Sequence, residues 1–317
     1  MRDLALVQTA LPLLMIGWLL LGRAPTRIDL ALRLGAAWAL LLTAWLVGMW
    51  LAMPLATLAM MAALLVVASL VAWCRAGGAG WPSRLQQVRL WAGRLLSTVL
   101  LVFAGWLIGP AMAGRSAPAG AVDLAFPFRS GFYLVANGGA SERINGHLMT
   151  LRPGFARWRG ESHAVDLIRV DRLGFRTRER KLLWSPASPD AYLTYGEPVY
   201  SPCRGTVEAV EQGRPDMPVP VRDRRHLEGN FVRLRCGSVV VLLAHFARKG
   251  VRVDAGQAVN PATLLGYVGN SGNTDEPHLH IHAQSPGPPS APLSGEPLFV
   301  TFDGRFLIRN MVVDAGR

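Results

Sequence analysis

The first third of the chain is dominated by long apolar runs, and polar residues do little more than separate them. The runs cover about residues 4–22, 30–51, 54–73 and 95–114. Each is close to the ~20 residues that an α-helix needs to cross the hydrocarbon core of a bilayer. The pattern therefore predicts a transmembrane region of four helices over residues 1–114, in contact with membrane lipid.

The arginines between these runs predict the orientation of the region. The first and third connections contain several and the turn between the second and third runs has none; they are Arg23, Arg27, Arg75, Arg84, Arg89 and Arg94. Positively charged loops stay on the cytoplasmic side of a membrane. We therefore expect a multi-pass protein of the inner (cytoplasmic) membrane, with everything after residue 114 in the periplasm or another extracytoplasmic space.

The pattern changes after residue 114. Residues 115–125 are predicted to be a linker, and residues 126–317 contain short apolar runs such as GTVEAVE, NFVRLR and SVVVLLAHF, which Gly, Pro, Asn and Asp interrupt. Short runs at this spacing are typical of β-strands rather than of helices. We predict a mainly-β domain over residues 126–317, with exposed loops at about 167–195 and 286–295.

Charge adds little to this division. The formal net charge is +12, and each part contributes half of it: eight Arg against two acids up to residue 114, and 25 basic against 19 acidic residues after it. No run of basic residues interleaved with aromatic residues resembles a nucleic-acid surface. Nucleic acid is therefore not an expected partner.

The most distinctive local pattern is a row of alternating histidines. His278, His280 and His282 alternate with Leu279 and Ile281 in the stretch PHLHIH. Successive side chains of a β-strand point to opposite faces of the sheet. The three imidazoles should therefore share one face and line a site, while the two aliphatic side chains pack into a core.

Two further residues of this half have the chemistry of a metal site. Asp166 lies in HAVDL, and His245 ends the apolar run LLAHF. A catalytic zinc site takes three ligands from His, Asp or Glu and leaves the fourth position to water, whose pKa the metal lowers. Histidines that do not bind the metal can move protons or stabilise an oxyanion.

The order of these elements resembles the lysostaphin-type (LytM) zinc endopeptidases. It runs SHAVDL, YGEPVYSPCRGTVEAV, GNFVRLR, VVVLLAHF and GQAVNPATLLGYVGNSGNTDEPHLHIH, over about residues 132–285. The resemblance implies a small open β-sandwich known as the duplicated hybrid motif. It also implies a bound Zn²⁺ and a peptide substrate in peptidoglycan.

The resemblance also assigns roles to individual residues. Asp166 and His280 correspond to zinc ligands. His278 and His245 correspond to an unligated catalytic pair that orients the water and stabilises the tetrahedral intermediate. His282 has no role in that pattern and is expected to be either a surface histidine or one that supports the site from behind.

The third zinc ligand is left open by the sequence. The family has a His four residues before the Asp, but that position is Ser162 here, and His163 lies one residue later. Positions three apart on a regular strand face opposite ways, so His163 and Asp166 can share a metal only if a bulge intervenes. His147, in the stretch INGHL, is the other candidate. If neither is a ligand, the site is inactive.

Two of the three cysteines lie in the predicted β-rich domain. Cys203 precedes the strand GTVEAVE, and Cys236 ends the strand NFVRLRC. If these strands pair antiparallel, the two thiols lie close together, and an oxidising compartment would preserve a disulfide between them. The alternative is two unpaired cysteines in the core.

Together, the patterns predict a membrane-anchored zinc metallopeptidase. It would hydrolyse peptide bonds, in peptidoglycan cross-links according to the resemblance, by means of a zinc-activated water. The alternative is a catalytically inactive LytM-like domain that binds the cell wall or activates a partner amidase.

Overall fold

The computed structural model describes residues 2–76, 84–288 and 291–316, with side chains from residue 6 onward. The chain divides into two compact units, Met1–Met112 and Ala113–Arg317. The first unit is helical and the second is mainly β. Residues 77–83, in the third predicted connection, and residues 289–290, in the predicted loop 286–295, lie outside the described residues.

The helical unit contains α1 (Arg2–Leu21), α2 (Arg27–Val47), α3 (Ala56–Arg75) and α4 (Arg84–Ala113). Helices α2, α3 and α4 are long and apolar enough to cross a membrane, while the apolar part of α1 is shorter, Leu6–Leu21. Helix α2 begins at a capping box, in which Thr26 and Asp29 each bond to the backbone of the other. The apolar helices follow the predicted runs, and the number of membrane spans stays a prediction.

Large apolar side chains cover the outside of these helices. Leu14, Leu70 and Val102 are each more than 60% exposed. Small residues such as Ala36 and Ala68 are buried between the helices instead. This distribution suits helices that face lipid, because helix packing in membranes depends on small residues that allow close approach.

The β-rich unit is built on one large antiparallel sheet. The strands are β1 (Val122–Leu124), β2 (Phe132–Asn137), β3 (Val165–Val170), β4 (Pro198–Tyr200), β5 (Gly205–Glu211), β6 (Asn230–Cys236), β7 (Val239–Phe246), β8 (Ala258–Val259), β9 (Leu264–Tyr267), β10 (Leu279–Gln284), β11 (Pro297–Leu298), β12 (Val300–Phe302) and β13 (Val312–Asp314). The strand order of the large sheet is β13-β2-β3-β10-β7-β6-β5-β8, and β11 also pairs with β10. Two small sheets pair β1 with β12 in parallel and β4 with β9 antiparallel. The duplicated-hybrid-motif arrangement stays a prediction.

The hydrophobic core lies on one face of the central strands. Val165, Leu167, Leu279 and Ile281 belong to it and are buried, together with Leu243 of β7. Because side chains alternate along a strand, the residues between them point to the opposite face. That opposite face carries Asp166 of β3 and His280 and His282 of β10, as the alternation of PHLHIH predicts.

Two segments expected to be irregular are partly ordered. Val122–Leu124, within the predicted linker 115–125, forms β1 and pairs with Val300–Phe302. Within 167–195, residues up to Val170 complete β3, and Arg176 and Tyr192 are buried, while residues 178–182 are exposed. The expectation of an exposed loop therefore holds for 178–182 and is wrong for β3, Arg176 and Tyr192.

The cysteine pair joins the segment just before β5 to the last residue of β6. These strands are antiparallel neighbours, with Thr206 opposite Arg235. Cys203 and Cys236 form a disulfide with their Cα atoms 6.0 Å apart. The structure thus contains the disulfide rather than two unpaired core cysteines.

Candidate metal centre

The centre forms where strands β3 and β10 lie side by side. Asp166 and His280 are directly opposite each other in the antiparallel ladder. His147 approaches from a 3₁₀ helix, Gly146–Leu151, whose preceding residue Asn145 accepts a hydrogen bond from the His147 backbone N–H. The carboxylate of Asp166 therefore lies between two imidazoles from different parts of the chain.

The distances suit a metal ion. His147 Nε2 lies 2.9 Å from Asp166 Oδ2, and His280 Nδ1 lies 3.1 Å from Asp166 Oδ1. One ligand atom from each of the three residues can be chosen so that all lie within 4.8 Å of one another. Tetrahedral zinc with bonds near 2.1 Å places its ligand atoms roughly 3.4 Å apart. Two imidazoles and a carboxylate thus fit the ion with a small adjustment.

The orientation of Asp166 is fixed by a residue that the sequence pattern does not reveal. Asn137 Nδ2 donates to Asp166 Oδ2 at 2.8 Å, and Asn137 Oδ1 accepts from Arg309 Nη2 at 2.6 Å. An Arg can only donate, so the amide of Asn137 has one allowed orientation. The network occupies Oδ2 and leaves Oδ1 as the oxygen that faces His280.

A β-bulge brings Asn137 to this position. Val135 is part of the hydrophobic core, so regular alternation would turn Asn137 toward the core as well. The pairing between β2 and β3 shifts between Val135 and Asn137, and Asn137 comes to lie opposite Asp166. The extra residue of a bulge re-aims the side chain that follows it.

A second bulge re-aims His245. Leu243 faces the core, and two residues further along a regular strand His245 would face it too. The β6–β7 register shifts here, and His245 has φ +67°, in the left-handed region that L-residues rarely adopt. As a result Phe246 enters the core and the His245 ring lies 4.8 Å, between centroids, from that of His278. Backbone strain of this kind concentrates at functional sites.

The hydrogen bonds of His245 and His278 fix their tautomers. His245 Nδ1 lies 2.8 Å from the carbonyl oxygen of Ser271, and His278 Nδ1 lies 2.9 Å from that of Glu276. A carbonyl oxygen only accepts, so both Nδ1 atoms carry the proton. Each ring is left with a basic Nε2, and that of His278 lies 3.7 Å from Asp166 Oδ1.

The electrostatics favour an ionised Asp166 carboxylate and neutral His245 and His280 rings. Burial raises the pKa of Asp166, but His147 and His278 outweigh it, and the pKa lies well below the usual range. Burial lowers the pKa of His280 to about 4 and that of His245 far below its usual value. Although burial opposes it, the pKa of His147 is raised, because Asp166 stabilises its charged form.

The remaining histidines lie outside the group formed by His147, Asp166, His245, His278 and His280. The His163 ring stacks on Phe299 at 3.5 Å between centroids and is not part of the His147–Asp166–His280 cluster. His226 pairs with Asp223 in a half-exposed loop. His282 is 1% exposed and its Nδ1 lies 3.0 Å from His280 Nε2, so it supports the site from behind rather than facing solvent.

The comparison with protein families identifies part of this unit. Residues 189–292 match the model of Peptidase family M23. The matched range includes His245, His278 and His280 but begins after His147 and Asp166. No curated protein matches the chain.

Solved structures of M23 proteins are similar to the chain over limited regions. The catalytic domain of a mutant of the prophage-encoded M23 protein EnpA from Enterococcus faecalis is 17% identical, with TM-score 0.27, over 43% of this chain and 75% of that one. The catalytic domain of lysostaphin from Staphylococcus simulans is 17% identical, with TM-score 0.26, over 41% and 71%. A putative peptidase M23 from Pseudomonas aeruginosa is 24% identical, with TM-score 0.23, over 29% of this chain and 34% of that one.

At these TM-scores the similarity to the solved structures does not establish an activity for this chain. The match to the family model is therefore the comparison that bears on its classification. It covers the GNSGNTDEPHLHIH stretch on which the sequence resemblance depends. The predicted resemblance is confirmed over residues 189–292, the part of the β-rich unit that matches peptidase family M23.

Proposed function

We propose that this protein is a membrane-anchored zinc metallopeptidase that hydrolyses peptide bonds in peptidoglycan. The observation that carries the proposal is the convergence of five side chains on one face of the sheet. His147, Asp166 and His280 are the proposed metal ligands, and His245 and His278 are the proposed catalytic pair. The match of residues 189–292 to a peptidase family supports the same reaction class.

Each proposed residue has a defined task. A bound zinc ion would supply a Lewis acid and a more acidic water. His245 and His278 each present a basic Nε2 to the site, because Nδ1 is held by a backbone carbonyl. One of them can accept a proton from water and the other can donate a hydrogen bond to an oxyanion once protonated. Asn137 holds Asp166 in place throughout.

The proposed location is extracytoplasmic, with the helical unit as the anchor. Three helices are long and apolar enough to cross a membrane. The arginines between the apolar runs favour an orientation with the β-rich unit outside. The disulfide between Cys203 and Cys236 is consistent with an oxidising compartment, where such bonds persist.

Metal content and cleavage test the proposal together. The full chain, purified in detergent, should bind one zinc ion per molecule and cleave cross-linked muropeptides. His147→Ala should abolish zinc binding, whereas His163→Ala is the matched control and should retain it, because its ring stacks on Phe299 away from the cluster. Retention of zinc by His147→Ala would show that the ligand set is wrong.

A zinc-loaded protein that leaves muropeptides and smaller Gly- or Ala-containing peptides uncut would refute the hydrolase assignment. That result would favour the alternative of a non-catalytic domain that binds wall peptides or activates a partner amidase. A reporter fused after residue 317 tests the orientation separately, since activity only in the cytoplasm would reverse it.

A further inference from the structure

Strand β10 continues beyond His280 into two buried polar residues that the proposed reaction does not use. His282 and Gln284 lie on the same strand face as His280, since they are two and four positions further along the strand. Their exposures are 1% and 0%. Burying two such side chains costs free energy unless their polar atoms are hydrogen-bonded.

Without a metal ion, the polar atoms of His280, His282 and Gln284 cannot all find hydrogen-bond partners. His280 Nδ1 donates to Asp166 Oδ1, so the neutral ring has its lone pair on Nε2. That lone pair accepts the N–H of His282 Nδ1, 3.0 Å away. His282 is then left with a lone pair on Nε2, which needs a donor.

Gln284 supplies an acceptor there and not a donor. Its Nε2 donates to the carbonyl oxygen of Pro292 at 2.6 Å, which fixes the orientation of the amide and leaves Oε1 at its other end. The Gln284 side chain lies beside His282. Among the described residues, neither His282 Nε2 nor Gln284 Oε1 has a hydrogen-bond partner. Two acceptors cannot satisfy each other.

The mismatch disappears when His280 Nδ1 is a metal ligand. A ligating nitrogen must present its lone pair, so His280 carries its proton on Nε2 and donates it to His282 Nδ1. His282 then carries its own proton on Nε2, and the unpaired Oε1 of the neighbouring Gln284 is an acceptor of the kind that this proton needs. Both rings stay neutral and exchange one tautomer for the other, so this rearrangement releases no net proton.

We propose that His282 and Gln284 are positioning residues for the metal, forming a relay from His280 in which donors and acceptors match only when His280 Nδ1 binds a metal ion. The inference rests on the proposed function, because it requires that the site bind metal. Partners that orient a ligating His typically contribute 10- to 100-fold to metal affinity.

The packing around Gln284 holds the relay in place. A Cβ atom added at Gly160 would lie 1.6 Å from Gln284 Oε1. Gly160 is itself fixed, because its N–H donates to the carbonyl oxygen of Leu293 at 2.8 Å. A side chain at position 160 would therefore displace the amide of Gln284.

Zinc affinity of the full chain in detergent, measured by competition with a chelator, tests the relay. Gln284→Leu removes the acceptor and should weaken zinc binding about 10- to 100-fold. Gln284→Glu keeps an acceptor oxygen and should bind zinc about as tightly as the wild type. Gln257→Leu, the same change at an exposed position, is the matched control and should have no effect.

Nitrogen NMR of the histidine rings tests the tautomers directly and requires no substitution. The His282 proton should be on Nδ1 without zinc and on Nε2 with zinc. The proposal is overturned if His282 keeps its Nδ1 proton in the zinc form, or if Gln284→Leu binds zinc as tightly as the wild type. Failure of the wild type to bind zinc at all would instead overturn the proposed function.

Discussion

Replacing Arg176 with Met removes one half of an ion pair that is buried beside the proposed site. Arg176 Nε donates to Glu276 Oε2 at 2.9 Å, and each side chain is 3% exposed. The carbonyl oxygen of Glu276 accepts the Nδ1 proton of His278. The pair therefore connects the segment after β3 to the residue that orients one of the proposed catalytic histidines.

The expected cost follows from leaving the Glu276 carboxylate buried without its partner. Breaking a buried ion pair from one side costs about 3–5 kcal/mol. For a unit of the size of Ala113–Arg317, each kcal/mol lowers the melting temperature by about 2–4 °C. Arg176→Met should therefore melt about 6–20 °C below the wild type. Burial already raises the pKa of Glu276, so the loss should shrink at acidic pH, where the carboxyl can become neutral.

Thermal unfolding of the full chain in detergent at neutral pH is the assay. The control is Arg222→Met, which breaks the neighbouring pair with Asp275, where the two side chains are 40% and 33% exposed. Exposed pairs contribute about 0–1 kcal/mol, so this variant should melt close to the wild type. The double variant Arg176→Met with Glu276→Leu should recover much of the loss, since apolar replacement of a whole buried pair is often neutral.

Two results would refute this reasoning. One is an Arg176→Met variant that melts no lower than Arg222→Met. The other is a double variant that loses as much as the two single changes added together, because that would mean that the two side chains stabilise the unit independently.

Three other predictions concern the site and the frame around it. Asn137→Leu removes the donor to Asp166 Oδ2 and should lower zinc affinity about 10- to 100-fold in the competition assay; wild-type affinity would show that Asp166 needs no such support. Replacing both Cys203 and Cys236 with Ser should cost roughly 3–4 kcal/mol in urea unfolding, from the 33-residue separation that the disulfide closes, and an unchanged midpoint would contradict this. Burial raises the pKa of Glu161 to about 7 from 4.5, so the folded state binds this proton more tightly than the unfolded state. The stability of the metal-free protein should therefore fall as pH rises from 4.5 through 7, and Glu161→Gln should lessen that fall; an identical pH profile in the variant would argue against it.

Much of the architecture could be predicted from local patterns. Apolar runs near 20 residues predict helices because a membrane span must be apolar along its length. The alternation around His280 predicts a strand with one polar and one apolar face, and the structure has Leu279 and Ile281 in the core. The order of the motifs predicts that Asp166, His245 and His278 belong to the site, and the structure brings them together around His280.

The third member of the cluster, His147, could not be predicted from local sequence patterns. His163 and His147 were both candidates, and only contacts between distant segments distinguish them. His163 lies against Phe299, while His147 is carried to Asp166 by a 3₁₀ helix that Asn145 caps. Neither contact leaves a periodic signal in the sequence.

Residue type and spacing are enough to predict which stretches are helical or extended and which residues have metal-binding chemistry, because both are local properties of the chain. The direction in which the side chains of the site point depends instead on contacts between distant segments. Asn137 and His245 have the spacing of core residues, and each is turned to the site face by a bulge. A bulge depends on how a strand pairs with its neighbour, and the residues that settle that pairing lie far away along the chain.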